Sequence, residues 1–373
     1  MTRQHVYVGM SGGVDSSVAA ALLLDQGYDV TGVYMKNWSQ DLPGMQCPWA
    51  EDLADAKRVA VQLGIDFKVF DFEKQYKQKV VDYMIAEYQA GRTPNPDIMC
   101  NQEVKFKLFL ETSIAAGADY IATGHYARVK HSVDTEPAFA PGTEPAFAPG
   151  FIKAPSLPNC ARLLRARDDN KDQTYFLYRV TAKSLAKTIF PLGDLTKPEV
   201  RQIAKERGLW TARKKESMGV CFVGNVGIRE FLSEYVATHP GDIIEKESGR
   251  TLGRHDGAIF YTLGQRHGLD VGGGLPYYVV GKDMERNEVY ASRNINDENM
   301  WRTEISLSSP HWINSAPADG EKIQARLRHR GNLIDARYSC GTLQLASGER
   351  AVAPGQSAVV YRGEECLGGG IVV

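Results

Sequence analysis

The sequence predicts an α/β protein: an N-terminal doubly wound parallel sheet followed by two small β-rich domains. In the first third, apolar strand-like runs alternate with helix-like runs, as in a parallel sheet covered by helices. From about residue 240, short β-like runs are separated by glycine turns. A chain of 373 residues is too long for one ordinary domain. We expect domains at 1–223, 224–300 and 301–373, the last of them barrel-like, with a mobile insertion at 132–158.

The elements of the parallel sheet follow from local patterns. In chain order, the predicted strands are 6–8, 28–35, 66–71 and 120–123, and the predicted helices are 18–24, 49–63, 73–89 and 103–116. Gly27 and Gly64 stand where glycine commonly ends a helix. Ligands of such sheets bind at the carboxyl ends of the strands. The loop 9–17, Met35 and Gly124 fall at such ends and are expected to line one pocket.

The C-terminal half reads as β structure throughout. The predicted β-like runs are Gly257–Leu263, Tyr277–Gly281, Val289–Ser292, Ile323–Arg328 and Ala358–Arg362. Small barrels of this type commonly bind oligonucleotides, which is an analogy of fold alone.

Composition excludes several classes of protein. Hydrophobic residues make up 43% and charged residues 24%, as in ordinary soluble proteins. The longest apolar run, Val18–Leu24, is far too short to span a membrane. Met1 precedes the first strand too closely for a signal peptide, so a cytoplasmic location without a membrane partner is expected. The six cysteines show no Cys-x-x-Cys spacing, which argues against a structural metal site or a disulfide framework.

Charge is unevenly distributed although the net charge is only -1. Residues 153–187 contain eight Lys and Arg against three Asp, and 197–215 contain seven against two Glu. Residues 322–337 contain five against one Asp. Each run alone is typical of a solvated face, but the three together indicate a polyanionic partner.

The loop Gly9–Ser17 is the most informative segment. It is a turn of small residues between a strand-like run and a helix-like run, where backbone N–H groups and the helix dipole attract a phosphate. It lacks the Gly-Lys-Ser/Thr of a Walker A loop and the glycine spacing of a dinucleotide site. The alternative is an ordinary turn that caps a helix.

Two cysteines lie in further informative segments. Cys100 follows Thr93-Pro94-Asn95-Pro96-Asp97 at a predicted helix N-terminus, where the dipole favours a thiolate. Cys221 lies between Gly219 and Gly224, after the basic run 213–215, where cations favour the thiolate too. Either thiol taken alone is equally well explained as an inert core cysteine.

The loop Gly9–Ser17 resembles the Ser-Gly-Gly-Xaa-Asp-Ser loop of the ATP pyrophosphatases, the PP-loop enzymes. Read together, the segments resemble the bacterial tRNA-specific 2-thiouridylases (MnmA/TrmU) over nearly the whole chain. The matching segments are 9–16, 35–38, 95–97, 100–101, 122–126, 171–173, 219–222, 261–266, 273–278, 354–359 and 366–370.

The resemblance implies a nucleotide-binding domain of the adenine nucleotide alpha hydrolase type. It implies ATP-dependent transfer of sulfur to C2 of the wobble uridine, position 34, in tRNAs for Lys, Glu and Gln, through an adenylated uridine. Asp15 would help to place Mg²⁺. The residues implied for ATP are Gly9, Met10, Ser11, Gly12, Gly13, Val14, Asp15, Ser16, Met35 and Gly124.

The resemblance also assigns the sulfur chemistry and the tRNA contacts. Cys221 would hold a persulfide received from a sulfur relay protein or a cysteine desulfurase, Cys100 would be the partner nucleophile, and the two would form a transient disulfide. Asn95, Pro96 and Asp97 would contact the target base, with Asp97 moving a proton; the alternative for Asp97 is a turn residue beside proline. The implied tRNA contacts are His125, Lys171, Asp172, Gln173, Arg328, His329 and Gln356.

Two other functions stay open on the sequence. One is another PP-loop enzyme, such as an amide-forming ligase or a relative of tRNA lysidine synthetase, which would need neither Cys100 nor Cys221. The other is a tRNA-binding protein without catalysis. The tandem octets 135–142 and 143–150 suggest no function, nor do the cysteines at 47, 160, 340 and 366.

Overall fold

The computed structural model describes residues 3–41, 47–131, 161–215, 227–272, 274–294 and 296–373. The expected insertion at 132–158, the tandem octets and the Cys221 segment lie outside these ranges. Within them, no helix is long and apolar enough to cross a bilayer.

The described strands and helices are as follows. The strands are β1 (His5–Gly9), β2 (Asp29–Lys36), β3 (Asp66–Asp71), β4 (Tyr120–Thr123), β5 (Arg128–His131), β6 (Ala161–Leu164), β7 (Thr188–Ile189), β8 (Gly241–Glu245), β9 (Thr251–His255), β10 (Tyr278–Asp283), β11 (Glu288–Ser292), β12 (Trp301–Trp312), β13 (Lys322–Arg326), β14 (Ile334–Ser339), β15 (Thr342–Arg350), β16 (Ser357–Arg362) and β17 (Glu365–Val372). The α-helices are α1 (Val14–Asp25), α2 (Trp49–Leu63), α3 (Glu73–Tyr76), α4 (Asp82–Gln89), α5 (Pro96–Met99), α6 (Phe109–Ala115), α7 (Thr174–Leu177), α8 (Ala182–Leu185), α9 (Lys197–Glu206) and α10 (Ile228–Ser233). The π-helical segments are Lys77–Val81 and Cys100–Leu108, and the 3-10 turns are Trp210–Arg213, Ala258–Phe260 and Glu298–Met300.

The N-terminal region contains the predicted parallel sheet. Its strand order is β3-β2-β1-β4-β7, and each neighbouring pair is parallel. Val6, Tyr7 and Val8 of the central strand β1 are fully buried, because helices cover both faces of such a sheet. The carboxyl ends of β1, β2 and β4 therefore meet at one edge, as the sequence predicts.

The C-terminal region forms a closed barrel. Strands β12, β15, β14, β13, β16 and β17 follow one another, and a pairing between β12 and β17 closes the circle. The hairpin β5–β6 of the N-terminal region extends this sheet, with Leu163 of β6 opposite Cys366 of β17. The first and last domains thus share a sheet.

The central region is a four-stranded sheet of order β10-β11-β8-β9. The strand predicted at Gly257–Leu263 is wrong, because this segment makes the 3-10 turn Ala258–Phe260. The backbone N–H of Ala258 donates to the Asn287 side chain (2.9 Å), and Tyr261 N–H donates back to Ala258 C=O (3.2 Å). These bonds take the place of a strand ladder.

Candidate active site

The loop Gly9–Ser17 joins the end of β1 to the start of α1. Gly12 has φ +72° and a Cβ there would lie 2.4 Å from the Asp52 carbonyl oxygen, so only glycine fits. The N-cap residue of α1, Gly13, makes no side-chain capping bond. The first N–H groups of a 12-residue helix, and its positive dipole end, are therefore offered to an anion. This arrangement fits a phosphate group of ATP.

The other residues expected at ATP lie beside this loop. A Cβ on Gly124, just after β4, would lie 2.7 Å from the backbone nitrogen of Ser16. A Cβ on Gly9 would lie 3.0 Å from the Met35 methyl group. Asn37, just after β2, has a buried side-chain oxygen with no hydrogen-bond partner among the described residues. The fold thus brings the predicted residues of β1, β2 and β4 to one edge of the sheet.

Asp15 has two partners that the sequence analysis did not identify. Lys197, the first residue of α9, donates to both carboxylate oxygens of Asp15 (2.7 and 2.8 Å), and Tyr126 donates its hydroxyl to Oδ1 (2.9 Å). Lys197 is only 8% exposed, so its charge is directed at the loop. Lys197 stands 182 residues from Asp15, and no local signal links the two.

This pairing bears on the expected Mg²⁺ site. Among the described residues, no group of three or more His, Cys, Asp or Glu side chains is arranged to hold a metal. Asp15 is a suitable oxygen ligand, but both of its oxygens already accept from Lys197. The described residues therefore fit a cation that is held mainly by the ATP phosphates. Asp15 is the one protein ligand proposed for it, and it would be shared with Lys197.

Asn95 starts the helical run that carries Asp97 and Cys100. Its side-chain oxygen accepts from the backbone N–H groups of Asp97 (3.2 Å) and Ile98 (3.4 Å), and Pro96 occupies a first-turn position. The run passes through α5 and the π-helical segment to Ala115.

The prediction that Cys100 starts a helix is wrong. The helix begins at Pro96, so Cys100 lies beyond its first turn, where the influence of the dipole has fallen off. Cys100 is also 1% exposed. Activation of this thiol by a helix N-terminus is therefore weaker than the sequence suggests.

Several residues expected at tRNA are bonded to the elements just described. The Gln173 side-chain oxygen accepts from Tyr126 N–H (2.9 Å), and Tyr126 in turn contacts Asp15. The His329 ring packs on Phe176 at 4.5 Å between centroids, and the Phe176 carbonyl accepts from the Asn101 amide (3.0 Å).

Two of the expected tRNA residues are histidines held in the neutral form. Burial, with Lys105 nearby, holds the pKa of His125 well below its usual range, and Thr123 Oγ1 lies 2.8 Å from its Nδ1. Burial, with Arg330 and Arg326 nearby, lowers the pKa of His329 to about 4. Near neutral pH both rings offer hydrogen bonds and stacking but no positive charge.

Three more of the expected tRNA residues differ in exposure. Asp172 is 1% exposed and accepts from Arg326 Nη1 (2.8 Å). Its carboxylate therefore forms an ion pair that joins the first domain to the barrel. Arg328 is exposed and pairs with Glu349 at 2.8 Å. Lys171 is half-buried beside Asp172.

The fold and this site define a class of protein: a nucleotide-binding α/β domain followed by two β domains. A family described as "tRNA methyl transferase HUP domain" matches residues 4–225. Families described as "tRNA methyl transferase PRC-barrel domain" and "Aminomethyltransferase beta-barrel domain" match residues 229–293 and 302–372.

Comparison with curated proteins identifies the family within this class. The chain is 45% identical to the tRNA-specific 2-thiouridylase MnmA of Bacillus subtilis over 99% of its own length and 94% of that protein. It is 44% identical to MnmA of Lysinibacillus sphaericus with the same coverage. The chain belongs to the MnmA family of tRNA-specific 2-thiouridylases. Among solved structures, NMN synthetase from Francisella tularensis aligns over 61% of this chain and 71% of that chain at 16% identity, with a TM-score of 0.34.

Proposed function

We propose that this protein is an ATP-dependent tRNA-uridine 2-sulfurtransferase that converts the wobble uridine of tRNAs for Lys, Glu and Gln into 2-thiouridine. The observation that carries the proposal is the similarity to curated 2-thiouridylases over 99% of the chain. The loop Gly9–Ser17, whose Asp15 is bonded to Lys197 and Tyr126, supports the proposal, because an enzyme of this kind must bind ATP.

The first half-reaction activates the uridine. The C2 oxygen of uridine is a poor leaving group, so it attacks the α-phosphorus of ATP and pyrophosphate leaves. Gly9–Ser16, Met35 and Gly124 hold the nucleotide, and the N-terminus of α1 receives a phosphate. Lys197 offsets negative charge at the loop. Mg²⁺ supplies further neutralisation of the phosphates when it is bound.

The second half-reaction delivers sulfur. Cys221 carries a persulfide received from a sulfur relay protein or a cysteine desulfurase. In the direct route, the terminal sulfur attacks C2 and AMP leaves with the uridine oxygen; the Cys100 thiolate then attacks the Cys221 sulfur, which breaks the S–S bond and frees the 2-thiouridine. In the other route, Cys100 attacks the Cys221 sulfur first and releases hydrosulfide, which attacks C2 and displaces AMP. Either route ends in a disulfide between Cys100 and Cys221, which a thiol reductant must reopen before the next turnover. Asp97 moves the proton at the target base.

The wobble base reaches the site already unpaired. An anticodon loop is single-stranded, so turning one base toward the helix Pro96–Met99 costs little. His125, Lys171, Gln173, Arg328, His329 and Gln356 are proposed to surround the tRNA, with Asp172 acting through Arg326 rather than by direct contact. The protein is proposed to act in the cytoplasm.

The test is mass spectrometry of nucleosides from substrate tRNA after incubation with the protein, ATP, Mg²⁺, sulfide and a thiol reductant. We expect 2-thiouridine, with AMP and pyrophosphate as co-products. Cys221→Ser should abolish product when a persulfide donor replaces sulfide, and Cys340→Ser, at an exposed cysteine, should not.

Other outcomes would identify other functions. Full product formation by Cys221→Ser in the donor reaction would favour a PP-loop ligase type of chemistry. Tight tRNA binding without ATP cleavage would indicate a non-catalytic binding protein. A methylated nucleoside in place of 2-thiouridine would overturn the proposal.

A further inference from the structure

Thr93 lies three residues before the helix Pro96–Met99, and all three domains meet at it. We propose that Thr93, Thr262 and Gln356 position the segment of Asp97 and Cys100 for the reaction. The inference rests on the proposed function, because it assigns new positioning residues to the same site.

All three hydrogen-bonding groups of Thr93 pair with the downstream domains. Its N–H donates to the Pro354 carbonyl (2.8 Å), and its carbonyl accepts from the Gln356 amide (2.8 Å); both partners belong to the barrel. Its hydroxyl lies 3.1 Å from the Thr262 hydroxyl of the central domain. A single residue before the site is thus held by both accessory domains.

The barrel residues Pro354–Gln356 form a turn that lies directly against the backbone of Thr93. Gly355 has φ +90°, and a Cβ there would lie 2.8 Å from the Thr93 backbone nitrogen. Only glycine combines that conformation with so close an approach. The segment Pro354–Gln356 therefore fits against Thr93 through its backbone as well as through the Gln356 amide.

Packing alone does not fix Thr93. Thr93 and Pro354 line a cavity of about 610 Å³ between the three domains, so one side of the contact faces open space. The flanking residues are held separately: Arg92 pairs with Glu87 through two bonds (2.7 and 2.5 Å), and Asn101 donates to the Phe176 carbonyl (3.0 Å). Between these anchors, the backbone is held by the hydrogen bonds of Thr93 and by the Asn95 cap on Asp97 and Ile98, and Ile98 and Cys100 are buried in the core.

Gln356 is also an expected tRNA contact, and the two roles predict different kinetics. A positioning residue changes the rate of the bound complex, whereas a tRNA-binding residue changes the affinity for tRNA. Looser positioning also exposes the buried Cys100, which tRNA binding by Gln356 does not require.

The experiment uses the full-length variants Gln356→Ala and Thr262→Val. Kinetics of 2-thiouridine formation are measured over a range of tRNA concentrations. Separately, without ATP or tRNA, alkylation of Cys100 by iodoacetamide is followed by mass spectrometry. We expect kcat to fall about tenfold, KM for tRNA to change less than about twofold and Cys100 alkylation to rise about tenfold, as loss of one positioning bond allows.

Controls separate positioning from general loosening. Cys366, 1% exposed in the barrel, is an internal reference whose alkylation should not change. Gln324→Ala removes another barrel glutamine whose amide bonds Asp335 (3.1 Å), and it should match the unmodified protein. Thr262→Ser keeps the hydroxyl and should restore both kcat and the slow alkylation of Cys100.

A raised KM with unchanged kcat and unchanged Cys100 alkylation would overturn the proposal and assign Gln356 to tRNA. An equal rise in Cys366 alkylation would also overturn it, because the whole fold would then have loosened. If the unmodified protein forms no 2-thiouridine, the proposed function fails, whereas the alkylation comparison still decides the role of Thr93, Thr262 and Gln356.

Discussion

The partners of Asp15 show how single residues complete the nucleotide loop. Lys197 places a buried positive charge against both carboxylate oxygens, and Tyr126 adds a hydrogen bond. The carboxylate is thereby oriented, and a cation lies where ATP phosphates are proposed to bind. Lys197 and Tyr126 belong to different elements, so this arrangement depends on the tertiary fold.

We predict that Lys197→Met lowers tRNA-dependent release of pyrophosphate at least about tenfold, because it removes a charge from the loop and leaves Asp15 without its ion-pair partner. Coupled-enzyme detection of pyrophosphate checks this. Lys205→Met, at an exposed position of the same helix, is the matched control. Equal rates of pyrophosphate release by the two variants would show that the charge of Lys197 does not contribute to the reaction.

We predict that His329 makes stability depend on pH. Its folded-state pKa is lowered to about 4 from 6.5, so below 6.5 the unfolded chain takes up the proton first. Stability present at neutral pH is therefore lost as the pH falls from about 6.5 toward 4. His329→Gln should reduce the shift of the urea midpoint between about pH 7 and about pH 4.5, and His239→Gln, at an exposed site, should not. An unchanged shift in His329→Gln would contradict this.

Several elements predicted from neighbouring residues alone have the predicted bounds in the structure. Helix 49–63 ends as predicted because Gly64 adopts φ +67°, and strand 120–123 has the predicted bounds. Gly257–Leu263 differs because the backbone N–H of Ala258 donates to the side chain of Asn287, 29 residues further on, and this bond fixes a turn that the apolar pattern does not reveal. The helix carrying Cys100 starts early because the Asn95 cap and Pro96 define its beginning.

The contact between β4 and the nucleotide loop gives a prediction at this scale. Gly124→Ala would place a methyl group 2.7 Å from Ser16 N and 2.8 Å from the Asp15 carbonyl carbon, so the loop must shift. ATP affinity, measured by isothermal titration calorimetry, should fall at least about tenfold. Gly272→Ala is the control, because nothing lies within 4 Å of a Cβ there. Unchanged affinity in Gly124→Ala would mean that the loop tolerates this displacement.

At the scale of the whole molecule, the sequence indicates the class of fold and the edge of the sheet where ligands bind. The parallel sheet, the β-rich C-terminal half and the converging ends of β1, β2 and β4 all follow from periodicity and turns. The contacts between domains do not, because they join residues far apart in sequence. Asp172 meets Arg326 across 154 positions, and Thr93 meets Gln356 across 263.

The pair Asp172–Arg326 gives the last prediction. Both residues are buried, and Thr174 also donates to Asp172 (2.9 Å), so the carboxylate belongs to the interface between the first domain and the barrel. Asp172→Asn leaves a buried guanidinium without its charge partner and should lower the free energy of unfolding by about 3–5 kcal/mol. Urea denaturation followed by circular dichroism measures the change.

The control and a double variant make this result specific. Asp335→Asn, at an exposed site of the barrel, should leave the urea midpoint unchanged. Asp172→Leu combined with Arg326→Met should be more stable than Asp172→Asn alone, because it removes the unpaired guanidinium of Arg326. In this double variant, Arg165, the Ala166 N–H and Thr174 still lose their carboxylate partner. If Asp172→Asn instead weakens only tRNA binding and leaves the midpoint unchanged, the carboxylate faces the RNA and the two domains are held together without it.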